Sequence, residues 1–435
     1  MRSAALLPVL LSVLFPVFFS VGVLAIACPS LASAQSVVSS NEGRFTEPSS
    51  PLSLASAIEF SLASSPDIAV AQREYESTEG ALLQARGRPN PELAFAQEDT
   101  RATTRSSAFQ LNLPIELGGK RAARIDASEQ GRQVALAELA LRHGEVRANV
   151  ISAYFDVLTA QERVRLAQST LDTVKRATDA TSKRVQAGKI SPVDEVKARV
   201  AEASVRIELS RAQSDLRLAR QKLSALWGNA YPRFERADDA VDKLPEVPSQ
   251  AALEQRLSLA PAIQRAEFEV RRKQALKDLE QAKRTPNPTV SLGVKRAADQ
   301  HNQLLFGVSM PLPVFDNNQG NLLEALRREE KARDELVALQ LRLQTELQQA
   351  RERLIASRSE VEAFSSEVLP GAQSAFSAAT QGFEAGKFSY LETLDAQRTL
   401  VQAKTQYLRA LGQTHRAAAE IERLLSDAKP HLTKN

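Results

Sequence analysis

Apolar positions along this chain switch period twice in each half, and the switches predict its elements. Between Ser106 and Ile115, Phe109, Leu111 and Leu113 alternate with Ala108, Gln110 and Asn112, the period-two pattern of a strand with one apolar face. From Val146 the spacing becomes three and four, through Val150, Ala153, Val157, Ala160, Val164, Ala167, Leu171 and Val174, a heptad seam for helices packed side by side. The first half therefore reads as helix over 52–86, strands over 91–99 and 106–115, a very long helix over 119–186 and a further helix over 192–226. The second half repeats the order. Val290, Leu292 and Val294 oppose Thr289, Ser291 and Gly293, and Leu304, Phe306, Val308 and Met310 oppose Leu305, Gly307 and Ser309. These place strands over 288–296 and 303–313, with a long helix over 320–385 whose seam runs Leu343, Leu347, Ala350, Leu354, Ser357, Val361, Phe364 and Val368. Pro370-Gly371 is expected to kink or interrupt that helix, because proline removes a backbone donor and clashes with the preceding turn.

The two halves are copies of one unit. Arg88-Pro89-Asn90-Pro91 returns as Thr285-Pro286-Asn287-Pro288, 197 positions on; Leu113-Pro114-Ile115 returns as Leu312-Pro313-Val314, 199 on; and Ala187-Gly188-Lys189 returns as Ala385-Gly386-Lys387, 198 on. Such a period is far longer than that of a solenoid repeat. The reading is thus a first repeat over 52–227, a connector over 228–249, a second repeat over 250–427 and a short tail over 428–435. Ahead of them, Arg2, an apolar stretch and Ala32-Ser33-Ala34 describe a signal peptide over 1–34, followed by an extended arm over 35–51. A retained membrane helix is the alternative for that stretch, and Cys28 is an alternative lipid attachment point.

Composition narrows the function. Only 5% of residues are aromatic, which suits long helices with a small β part. The net charge of +4 becomes +3 without the signal (55 basic against 52 acidic residues), with both signs interspersed, so no nucleic-acid footprint is expected. Cys28 is the one cysteine, and His143, His301, His415 and His431 are scattered without ligand spacing. No nucleophile, metal or paired-carboxylate constellation argues for an enzyme, and no cofactor is implied. Strands of about ten residues match either outer-membrane barrel strands or a half-buried hairpin of a soluble domain. Four strands cannot close a barrel, and open edges are not tolerated in lipid, so membrane-spanning strands would require several copies of the chain.

The duplicated hairpin and long helix resemble the TolC-type outer membrane factors of Gram-negative efflux pumps. Arg88-Pro89-Asn90-Pro91-Glu92-Leu93, Ile115-Glu116-Leu117-Gly118-Gly119-Lys120-Arg121 and Pro311 to Gly320 are similar to the CzcC-like, heavy-metal branch of that family. The resemblance implies a homotrimer with a twelve-stranded β-barrel in outer-membrane lipid, continued by a twelve-helix α-barrel through the periplasm. It also implies a periplasmic membrane fusion (adaptor) protein and an inner-membrane proton-driven pump of the RND type as partners. Adaptor docking is expected at the helix-joining tips, Gly188, Lys189 and Ser191 in the first copy and Gly386, Lys387 and Ser389 in the second. A gate of carboxylates is expected from Glu392 and Asp395, with Asp194 matching in the first copy and Lys197 departing from the pattern. Bottom-up, the same residues serve as helix caps and as acids placed near helix starts. The expected function is a passive exit duct for cobalt, zinc, cadmium or nickel. The alternatives are a duct for drugs or organic solvents and a soluble periplasmic coiled-coil adaptor.

Overall fold

Strand residues with apolar and small or polar side chains in strict alternation pair here into one antiparallel sheet of order β1-β2-β3-β4, formed by Glu92–Glu98, Ser106–Pro114, Thr289–Ala297 and Gln303–Ser309. The computed structural model describes residues 51–99, 101, 104–238, 244–297, 302–385 and 387–425. The expected signal peptide with Cys28, nearly all of the arm, Gly386, His301 and the tail with His431 lie outside the described residues. Register aligns the apolar sets across all four strands: Phe95, Phe109, Val294 and Leu304 form one row, and Leu93, Leu111, Leu292 and Phe306 the next. Among the described residues nothing covers this face, since Leu93 and Phe306 are each 74% exposed. The reverse face carries Ala94, Ala96, Gln110, Asn112, Ser291, Gly293, Leu305 and Gly307. β2 and β3 join the two repeats, leaving one edge of β1 and one edge of β4 open. β4 stops at Ser309, short of the expected 313, because Pro311 and Pro313 cannot donate to a ladder.

The helices assemble into four columns. Helix α3 (Lys120–Gln186) packs against α2 (Pro66–Arg86) near the sheet and against α4 (Pro192–Ala225) farther away. On its other flank it meets α6 (Pro261–Lys283) near the sheet and α9 (Tyr390–Leu425) beyond, and these two also pack on the fourth column. That column is α7 (Gln319–Ala363), a π turn (Phe364–Val368) and α8 (Leu369–Glu384). At about 1.5 Å per residue, the 67 residues of α3 reach roughly 100 Å. The seam of α3 is buried as its spacing requires, with Val150, Val157, Ala160, Ala167, Leu171 and Val174 all at 7% exposure or less.

Where the shorter helices meet end to end, a belt covers one face of the columns. It comprises α1 (Leu54–Ser64), α5 (Gln250–Ser258) and parts of the connector. Trp227 packs between Phe60 and Phe234 in tilted contacts, with ring centroids 6.5 and 6.2 Å away. Gln161 of α3 clamps the connector by accepting from the Ala237 amide at 2.8 Å and donating to its carbonyl at 3.1 Å. Tyr154 donates to the Leu52 carbonyl at 2.8 Å, tying the start of the described chain to the same place.

Two expectations need correction. The segment 52–86 is not one helix: Ser65 turns extended (φ −62°, ψ 127°) ahead of Pro66, which disfavours helical geometry in the residue before it. In the fourth column the α-helix is interrupted, as Pro370 requires, but the column continues through the π turn. The carbonyl four residues before Pro370 belongs to Ser366, inside that turn, where the wider winding relieves the clash. The extra residue also shifts the seam. Val368, expected inside, is 42% exposed, and the inward set resumes one position later with buried Ala372, Ala379 and Phe383 and half-buried Leu369 and Phe376.

Candidate functional site

Each tip is built by backbone geometry that the turn residues dictate. After α3, Gly188 adopts φ +68°. The Lys189 amide donates to the Arg184 carbonyl and the Gly188 amide to Val185, each at 2.9 Å, the paired bonds of a Schellman motif. Ser191 then caps α4 by accepting from the Val193 amide at 3.3 Å, with Pro192 in the first turn. In the second tip the Lys387 amide donates to the Gly382 carbonyl at 2.8 Å. Ser389 accepts from the Glu392 amide at 3.3 Å, while the Glu392 carboxylate accepts from the Ser389 amide at 2.6 Å, a reciprocal capping box. Glu392 is therefore part of the tip's own framework, and Asp395 stands exposed one turn further along α9. In the first copy Asp194 lies 3.9 Å from Lys197, the residue that departs from the acidic pattern.

The two tips are not independent. Arg184, in the last turn of α3, places its guanidinium 4.1 Å from the centre of the Phe383 ring and donates to the Phe383 carbonyl at 3.2 Å. A cation over an aromatic face with a hydrogen bond beside it ties the end of α3 to the end of α8. Sequence spacing alone does not reveal this contact, because the two residues are 199 apart and neither belongs to a repeated motif.

The motifs at the strand exits form a second constellation. Gly118 and Gly119 turn the chain from β2 into α3 at φ +74° and +76°. Lys120, buried at 8% exposure, donates through Nζ to the Thr285 carbonyl and to Asn287 Oδ1, so the Pro-Asn-Pro segment of the second copy clasps the exit turn of the first. Burial lowers the Lys120 pKa, with Glu116 opposing the shift. Arg124 grips Glu116 at 2.7 Å and the Ala85 and Gly87 carbonyls at 3.0 and 2.9 Å, which fixes the end of α2 to the start of α3. The hydrogen bond from Arg124 holds the Glu116 carboxyl below its ordinary range.

Among the described residues no cluster of three His, Cys, Asp or Glu side chains has the arrangement of a metal site. His415 stacks flat on Phe155 with centroids 3.6 Å apart, a packing role. No helix among the described residues is long and apolar enough to cross a membrane.

Comparison with known proteins agrees with this geometry. The model of the outer membrane efflux protein family matches twice, over residues 57–229 and 252–426, one match for each repeat. The chain is 49% identical over 380 residues to the cobalt-zinc-cadmium resistance protein CzcC of Cupriavidus metallidurans, covering 87% of this chain and 91% of that protein. It is 26% identical to the nickel and cobalt resistance protein CnrC of the same organism, over 65% of this chain and 68% of the relative. Among solved structures, CusC superposes with a TM-score of 0.74 at 20% identity, covering 88% of this chain and 98% of CusC. The duplicated sequence, the open four-stranded sheet and the four helical columns are thus those of a known architecture, and the chain belongs to the outer membrane efflux protein family.

Proposed function

We propose that this protein is the outer-membrane exit duct of a tripartite, proton-driven efflux system that expels heavy-metal cations such as cobalt, zinc, cadmium or nickel. The observation that carries the reading is the 49% identity to a cobalt-zinc-cadmium resistance protein along nearly the whole length of both chains. The working form is a homotrimer. Its support is physical: β1 and β4 each keep an open edge, and the edge helices keep apolar residues uncovered, including Val193, Val196, Val200 and Ile207 on α4 and Val337 and Leu341 on α7. Unpaired strand edges have no partner in lipid, and three copies of four strands and four columns make a twelve-stranded barrel above twelve helices. The uncovered apolar face of the sheet then meets outer-membrane lipid, and the columns extend into the periplasm.

In this arrangement the tips, Gly188, Lys189 and Ser191 with Gly386, Lys387 and Ser389, receive the periplasmic adaptor, which links the duct to an inner-membrane pump of the RND type. Threefold repetition makes Glu392 and Asp395 rings of carboxylates at the aperture, with Asp194 a weaker contributor because Lys197 stands beside it. The duct carries out no chemistry, and cations pass solvated. The test is deletion of the gene followed by growth on zinc, cadmium, cobalt and nickel beside common antibiotics. Metal hypersensitivity is expected; a change confined to antibiotics would overturn the metal assignment in favour of a drug or solvent duct.

A further inference from the structure

The exit clasp occurs once among the described residues, yet the sequence contains the parts for two. In the occupied clasp, Asn287 Oδ1 accepts from Lys120 Nζ at 2.5 Å and from the Leu117 amide at 3.3 Å, and the Ile115 amide donates to the Pro288 carbonyl at 2.9 Å. One partner is the segment that enters a strand hairpin in the second repeat; the other is the turn that leaves the hairpin in the first. The equivalents under the internal repeat are Asn90 and Pro91 for Asn287 and Pro288, and Val314 and Gln319 for Ile115 and Lys120. The backbones match at one of the two turn positions, Asn318 adopting φ +57° where Gly119 adopts +76°, while Asn317 lacks the positive φ of its counterpart Gly118.

Both members of the second set are exposed, although Gln319 Oε1 accepts from the Asn317 amide at 2.8 Å within its own turn. Pro89, Asn90 and Pro91 are exposed, whereas Pro286, Asn287 and Pro288 are half-buried. Lys120 is buried and Gln319 is exposed. Leu312 and Val314 are 74% and 72% exposed against 45% and 39% for Leu113 and Ile115, and Phe315 is 94% exposed. Apolar side chains this bare beside an unpaired strand are the mark of a covered surface. The two half-clasps cannot meet within one chain, because β1 and β4 are the opposite edges of the sheet.

We infer that Arg88–Pro91 of one copy clasps the Val314–Gln319 turn of a second copy, repeating between chains the contact that Asn287 and Lys120 make within one. Asn90 Oδ1 accepts from Gln319 Nε2, which holds only a 3.5 Å contact to the Phe315 carbonyl in its own turn. The Val314 amide, which within the single chain donates to the Leu312 carbonyl at 2.9 Å, exchanges that bond for the Pro91 carbonyl, and the segment covers Leu312 and Val314. β1 of one copy is thereby set beside β4 of the next, and one fixed direction of addition closes a ring. This inference rests on the trimeric duct and assigns its residue-level seam.

The test uses the full chain in a Cys28→Ser background, purified in detergent, with a short bis-maleimide cross-linker. Asn90→Cys with Gln319→Cys is expected to give covalent dimers and trimers; Asn287→Cys with Lys120→Cys, the internal counterpart, is expected to give an intramolecular link at the monomer position. Pro91→Cys with Val314→Cys supplies a second intermolecular pair should either first substitution disturb folding. Intermolecular products from either seam pair support the clasp. A protein of trimeric mass in which neither seam pair links chains, while the internal pair reacts, overturns the clasp alone; a monomeric mass overturns the trimer with it.

Discussion

Gly118 and Glu392 show how single residues at the junctions do two jobs. A Cβ on Gly118 would sit 2.6 Å from Thr285 Cβ and would force a left-handed conformation on a residue with a side chain. Gly118→Ala is therefore expected to cost roughly 2–5 kcal/mol from strain and overpacking, measured as a lowered unfolding temperature in detergent. Gly119→Ala at a similar φ meets no neighbour within 4 Å, so it should cost less. Glu392 caps α9 and carries charge in the proposed gate, and substitution can separate the two. Replacing Glu392 and Asp395 by alanine is expected to raise single-channel conductance and weaken block by multivalent cations. Glu392→Gln with Asp395→Asn should do the same while keeping the capping box, because glutamine serves at that position. If only the alanine pair changes conductance, tip fraying rather than lost charge is the cause, and the gate assignment fails.

At the scale of elements, the sheet offers the clearest contrast. Leu111 and Gln110 are neighbours on β2 but project to opposite faces, one in the apolar row with Leu93, Leu292 and Phe306, the other against Gly293. Leu111→Arg is expected to cost about 2–4 kcal/mol if that face meets the bilayer midplane, and Gln110→Arg much less. The readout is the amount of heat-modifiable protein in isolated outer membranes, and equal loss from both would mean that the faces are not lipid and lumen. The strands, the long helices and the turns between them are legible because each depends on local period or on Gly, Pro and Ser at fixed offsets. The break at Ser65 was missed although Pro66 signals it, since apolar periodicity runs through it. The shift of the seam at Val368 was not legible: a π turn changes the phase by one residue, and nothing in the period announces where that residue is taken up.

For the whole molecule, the four columns and the open sheet make one expectation measurable. The mature protein purified in detergent should have the mass of three chains by native mass spectrometry, and a single-chain species stable in plain buffer would be incompatible with a lipid-embedded barrel. Duplication, strand and helix type, tip turns and the acidic positions of α9 were determined by the sequence alone, because they arise from backbone preferences and side-chain spacing over a few residues. Which helices stand side by side, the pairing of β2 with β3, the tie from Arg184 to Phe383 and the grip of Lys120 on Asn287 were decided only by the tertiary structure. The physical reason is separation: the strand pairing and the two side-chain ties join groups 165 to 199 positions apart, and their energy depends on whether the packed columns bring them together. The repeat makes Lys120 and Gln319 equivalent in sequence, and only packing buries the first and leaves the second exposed.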